Sequence, residues 1–187
     1  HRLADVGMNG QIASCTIATM ALESLQTHAR SATPLEACGL LLGHAGSIRA
    51  ATSTKNVAPH PERSFEIDPA ALLREHREAR GRGERVRGRR RHQRERGDHQ
   101  RPPLHEPERD HQHGAEHGEA GGRGETVIGH YHSHPNGSLE PSKTDAARAI
   151  EDGQLWLIAG AKGVRAWQAV TSGALHGRFA PVELVVV

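Results

Sequence analysis

His132 and His134 stand two residues apart, and Asp145 follows eleven residues after the second. No other stretch of the sequence is so well suited to chemistry. Val127-Ile128-Gly129 leads into the histidines and reads as the start of a strand. Residues two apart on a strand point to the same face, so the two rings can lie side by side. Pro135, Gly137 and Pro141 force a turn that brings Ser142 and Asp145 back. Asp145 falls in the first turn of a helix predicted over Thr144 to Asp152, where the helix dipole favours a carboxylate. Two imidazoles and one carboxylate, with one coordination position open, form the ligand set of a catalytic zinc.

A lone His-x-His carries little weight in a chain with 15 histidines. The longer string is more restrictive: His132-Ser133-His134-Pro135, then Pro141-Ser142, then Asp145. It resembles the signature of the JAMM (MPN-plus) zinc metalloproteases, of the bacterial stand-alone type. That family also needs an upstream glutamate in a Glu-x-x-Gly-aliphatic setting. Glu36-Ala37-Cys38-Gly39-Leu40 supplies it in the expected order. The resemblance covers residues of about 12–84 and about 126–187.

The elements that must position these residues are short. Strands are predicted over Ile12 to Thr19, Glu36 to Leu42, Gly46 to Thr54, Phe65 to Asp68, Leu155 to Ala159, Val164 to Val170, Leu175 to Phe179 and Glu183 to Val187. A helix is predicted over Met20 to Ala29, with Leu22, Leu25 and Met20 facing inward. A second should run from Pro69 to Arg80, with Asp68 as its N-cap and Leu72, Leu73 and His76 on one face. Many strands and few helices indicate an α+β domain built on a mixed sheet. The resemblance implies the same: a curved sheet flanked by helices, with zinc at one sheet edge.

At 187 residues the chain has the length of one domain. Its mean hydropathy of −0.63 averages two different materials. Between Arg85 and Glu125 the only aliphatics larger than alanine are Val86 and Leu104. Such a segment buries too little apolar surface to offset its ordering entropy. Gly81-Arg82-Gly83-Glu84 before it recurs as Gly122-Arg123-Gly124-Glu125 at its end. We therefore read 8–187 as one domain interrupted by a low-complexity insertion at 85–125, and 1–7 as a leader or tag remnant ahead of Met8. Deleting 85–125 is expected to leave folding and zinc binding intact.

The resemblance assigns a role to each site residue. His132, His134 and Asp145 would bind Zn2+, and a water in the fourth position would lose its proton near pH 7. Glu36 would act as general base toward that water and return the proton to the leaving amine. Ser142 would donate a hydrogen bond to the developing oxyanion. Its alternative role is N-cap of the following helix. His130 is expected to be structural or solvent-facing, and Cys38 a small buried hydrophobe rather than a fourth ligand. The implied reaction is hydrolysis of an amide after the flexible tail of a ubiquitin-like sulfur-carrier protein. Three rivals stand beside it: a RadC-like protein linked to DNA, a nucleic-acid binder using the Arg-rich insertion, and a catalytically impaired scaffold. RadC-like proteins look longer, with a helical DNA-binding portion ahead of the motif, to which nothing in this sequence is expected to correspond. The arginines of the insertion alternate with Glu and Asp, and the net charge is only +2, which argues against nucleic acid as the partner. No secretory signal or membrane-length apolar run is evident, so the expectation is a cytoplasmic protein with no membrane partner. Two cysteines supply neither a disulfide framework nor a Cys-rich zinc pattern. Homodimerisation is left open.

Overall fold

The computed structural model describes residues 10–44, 46–78, 125–150 and 153–187. Residues 1–7 and the 85–125 segment, apart from Glu125, lie outside the described residues. The elements in chain order are β1 (Ser14–Ile17), α1 (Thr19–Ala32), β2 (Cys38–His44), β3 (Ser47–Thr54), α2 (69–78), β4 (Thr126–Ser133), α3 (Lys143–Arg148), β5 (Leu155–Gly160), β6 (Gly163–Gly173) and β7 (Gly177–Val186).

The strands run β1-β3-β2-β4-β5-β6-β7, and β1 closes the sheet into a barrel by pairing parallel to both β3 and β7. Most neighbours are antiparallel, joined by short turns, as between β2 and β3 or β5 and β6. The parallel pair β4–β5 needs a crossover, and α3 lies within it. β4 therefore has a partner on each side, β2 and β5. The expected sheet-edge location for zinc is corrected accordingly: the histidines lie at the end of an internal strand. They can approach a metal there because β4 stops at Ser133, just before His134.

Alternation along the strands divides the core in two. Leu41, Tyr131, Leu155, Leu157 and Ala159 face α1, whose Ala21 and Leu25 complete that cluster. Trp156, Ile158, Trp167, Ala169 and Phe179 face the other way, against Ala146 and Ala149 of the α3 region, with Phe65 packed on them. Burial of these two apolar sets, about 25 cal/mol per Å² removed from water, fixes which face each β4 residue presents. Tyr131 faces α1, while His132 stacks on Phe65 of the second cluster.

Gly39 explains the glycine of the Glu-x-x-Gly pattern. It pairs with Tyr131 across the β2–β4 ladder. A Cβ there would lie 2.3 Å from the Thr52 carbonyl oxygen and 2.4 Å from the Tyr131 ring. Only a residue without a side chain leaves room for the tyrosine.

Several local expectations are corrected. Met20 is 81% exposed, because α1 turns Ala21 and Leu25 inward instead. In α2 the buried residues are Ala71 and Glu75, while Leu72, Leu73 and His76 face out. Asp68 does cap that helix, its Oδ1 accepting from the Ala70 N–H at 2.9 Å. Phe65 to Asp68 is not a strand; it contributes one bridge, Ile67 to Asn56. Leu175 likewise forms only a bridge, to Phe179, and the last two predicted strands are the single strand β7. The metal-motif helix is shorter than expected and ends at Arg148. No helix among the described residues is long and apolar enough to cross a membrane.

Candidate metal centre

Three donor atoms converge at the end of β4. His132 Nε2 and His134 Nε2 are 3.1 Å apart, and Asp145 Oδ2 lies 3.5 and 3.4 Å from them. All three residues are buried. A tetrahedral zinc with bonds of about 2.0–2.1 Å places its ligand atoms roughly 3.3 Å from one another. The observed triangle has that size and mixes nitrogen and carboxylate oxygen as zinc does. Among the described residues His132 Nδ1 is buried without a hydrogen-bond partner, so that ring is held by packing and by what its Nε2 faces. The residues present thus fit a zinc ion.

α3 delivers Asp145 through its own N-terminal signal. Ser142 Oγ accepts from the Asp145 N–H at 3.1 Å, and Asp145 Oδ2 accepts from the Ser142 N–H at 2.6 Å. This reciprocal capping box accounts for the Ser-x-x-Asp spacing. The alternative role of Ser142 as N-cap is therefore realised, and its hydroxyl proton stays free to be donated. Trp167 Nε1–H donates to the Leu139 carbonyl at 2.9 Å and holds the turn between the histidines and α3. Gly137 makes that turn at φ +82°, a left-handed conformation.

Charge follows the geometry. Burial lowers the pKa of His132 and outweighs the opposing pull of Asp145, so its ring is neutral and able to ligate. His134 is also buried, but the adjacent Asp145 and Glu36 carboxylates raise it overall. Burial works against the Asp145 carboxylate, yet its hydrogen bonds to His132 and His134 hold it well below the usual range.

Glu36 lies two residues before β2, and is 6% exposed. It was expected at the start of that strand. It lines a cleft of about 370 Å³ together with His134, Pro135, Pro141, Ser142 and Thr144. Burial, opposed in part by His134 and reinforced by Asp145, pushes its carboxyl up to about 7. The structure thus brings all five predicted site residues to one place.

His130 does not join the cluster. Its ring packs edge-on against Trp156 at 4.1 Å, and burial drives its pKa down to about 3. It is half-buried and packs against Phe65 and Trp156, away from the metal triangle. Cys38 is fully buried, its thiol 3.4 Å from Thr54 Oγ1, and burial raises its pKa. It behaves as a small core residue.

Three residues around the site escaped the sequence reading. Ser133 Oγ accepts from the Ala37 N–H at 2.8 Å, and its own N–H donates to the Ala37 carbonyl, tying the histidine strand beside Glu36. Phe65 stacks on the His132 ring at 4.1 Å and 17°. Asn56 donates to the Glu36 carbonyl at 2.9 Å. The Ser between the two histidines was the one visible signal; Asn56 and Phe65 are too remote in sequence to signal anything.

Comparison with known proteins bears on the family and the fold. The family described as prokaryotic homologs of the JAB domain matches residues 19–170. The solution structure of protein DSY2949 from Desulfitobacterium hafniense is 19% identical, with a TM-score of 0.61 over 92% of both chains. A JAB1/MPN domain protein from Archaeoglobus fulgidus is 16% identical over 91% of this chain and 98% of its own, with a TM-score of 0.46. A protein from Salinibacter ruber is 20% identical over 92% and 91%, with a TM-score of 0.49. No curated protein matches the sequence.

Proposed function

The chain belongs to the prokaryotic JAB-domain family, and from that premise we propose that it is a zinc-dependent peptidase or isopeptidase. The observation that carries the reading is the buried triangle of His132, His134 and Asp145 beside a carboxylate that is not part of it, Glu36. Metal-binding scaffolds need the triangle alone. A hydrolase also needs a base held close by and free to move a proton.

Zinc bound at the triangle would acidify a water to a pKa of about 7 and polarise the substrate carbonyl. The chain's own residues do the rest. Glu36, buried beside the triangle, takes a proton from the attacking water and returns it to the departing amine. Ser142 Oγ accepts from the Asp145 N–H, which leaves its hydroxyl proton available to oxyanion charge in the cleft it lines. Burial of His132 and Asp145 excludes bulk water and strengthens these interactions.

The cleft beside Glu36 and His134 has a volume of about 370 Å³, room for a short run of small residues. That supports the C-terminal tail of a ubiquitin-like sulfur carrier as substrate. The test is zinc content and cleavage of Gly-Gly-tailed carriers by the wild-type protein beside His132→Ala. About one zinc per chain with tail cleavage, both lost in the variant, is the expected result. A folded protein that takes up no zinc would overturn the reading.

A further inference from the structure

Residues 56–68 contain no part of the metal motif, yet they touch each side of the site. We propose that this strap, pinned by Asn56 and braced by Phe65, is the device that positions Glu36 and His132 relative to one another. The proposal rests on the peptidase reading for its catalytic consequence, but its structural content stands apart from it.

Asn56 uses its whole side-chain amide. Nδ2 donates to the Glu36 carbonyl at 2.9 Å and the Ser64 carbonyl at 3.0 Å. Oδ1 accepts from the Ala58 N–H at 3.0 Å and the Glu66 N–H at 3.1 Å. Two donors and two acceptors are the full capacity of a primary amide at these angles. Aspartate has the shape without the donors, and glutamine has the donors on a longer stem. The amide therefore joins both ends of the strap to the backbone of the general base. The strap answers in kind: the Glu36 N–H donates to the Pro61 carbonyl at 2.7 Å.

Next to Ser64 and Glu66, both held by Asn56, Phe65 is left little freedom. Its ring lies flat on His132, and 6.1 Å edge-on to Trp156. Its carbonyl accepts from Arg148 of α3 at 3.2 Å, on the helix that carries Asp145. A ligating histidine is ordinarily oriented by a hydrogen bond from its second ring nitrogen. Among the described residues none pairs with His132 Nδ1, and the Phe65 ring stacked on the imidazole at 4.1 Å and 17° holds its plane. Base, ligand and ligand-bearing helix thus share one strap, and Asn56 sets its path.

The experiment compares the full chain with Asn56→Asp and Phe65→Leu. It reads the His132 ring-proton chemical shift in metal-free protein, zinc affinity by chelator competition, and kcat and KM on a Gly-Gly-tailed carrier. Wild type should show His132 ring protons shifted upfield by the phenyl ring current. Both variants should lose that shift and bind zinc at least tenfold more weakly. At saturating zinc, Asn56→Asp should lower kcat at least tenfold with KM within twofold. Phe65→Leu leaves every Asn56 hydrogen bond in place, so it decides the matter if Asn56→Asp does not fold. An unchanged zinc affinity in Phe65→Leu, or an unchanged kcat in a folded Asn56→Asp, would overturn the proposal. If the wild-type chain cleaves nothing, the peptidase reading falls, and ring shift and zinc affinity still decide the strap.

Discussion

Glu36 shows how one side chain can be costly to the fold and valuable to the site. Its carboxyl stands at about 7 against an ordinary 4.5. Between those two pH values the folded chain holds a proton that the unfolded chain has released. Stability from this group is therefore full below pH 4.5 and is lost as pH rises through 7. Glu36→Gln removes that loss. In metal-free protein the variant should match wild type near pH 4 and exceed it by about 1–3 kcal/mol above pH 7, as read by denaturant unfolding across pH. The same substitution should lower kcat by roughly 10²–10⁴-fold while zinc content stays at wild-type level. Ser142 can be separated from its capping duty by a similar choice. Glycine at an N-cap costs only a few tenths of a kcal/mol, so Ser142→Gly should leave the melting temperature nearly unchanged. A drop in kcat of roughly ten- to a hundredfold in that variant would locate the loss in the hydroxyl. Unchanged turnover would make Ser142 a cap alone.

At the scale of elements, the site is assembled by two chain features that do not themselves react. One is the β2–β4 ladder, which sets Cys38 opposite His132 and Gly39 opposite Tyr131. Tyr131 passes over Gly39 and meets His28 of α1, its hydroxyl 2.9 Å from Nδ1. The strand that carries both ligands is thereby held from the α1 side. Gly39→Ala must push a methyl into the Tyr131 ring and the Thr52 carbonyl. It should cost about 1–3 kcal/mol and weaken zinc binding by displacing β4, as chemical unfolding and metal titration would show. The other feature is the capping box of α3, which starts the helix and orients Asp145 with the same pair of hydrogen bonds.

For the whole molecule, a metal that binds only the folded state adds to its stability by mass action. At zinc concentrations of 100 times Kd the gain is about 2.7 kcal/mol, so the melting temperature should climb with zinc and fall on chelation. His132→Ala should abolish that dependence; a zinc-independent melting temperature in the wild type would place no metal at the triangle. The barrel makes this coupling direct, because the ligands sit where β4, the turn after it and α3 meet. How much of this was legible beforehand follows from what each feature depends on. That His132, His134, Ser142 and Asp145 lie together was readable because local turns impose fixed residue types at short spacings, whereas Glu36, far upstream, came from the family resemblance alone. The strands were readable because alternating burial writes itself into sequence. Met20, Leu72 and Leu73 misled because helix periodicity names an apolar stripe without saying whether anything packs on it. Closure of the sheet by β1, the internal place of β4, and the roles of Asn56 and Phe65 came only with the tertiary structure. They depend on contacts between residues far apart in the chain, and neither hydrogen bonding to a distant carbonyl nor stacking on a distant ring demands a local pattern.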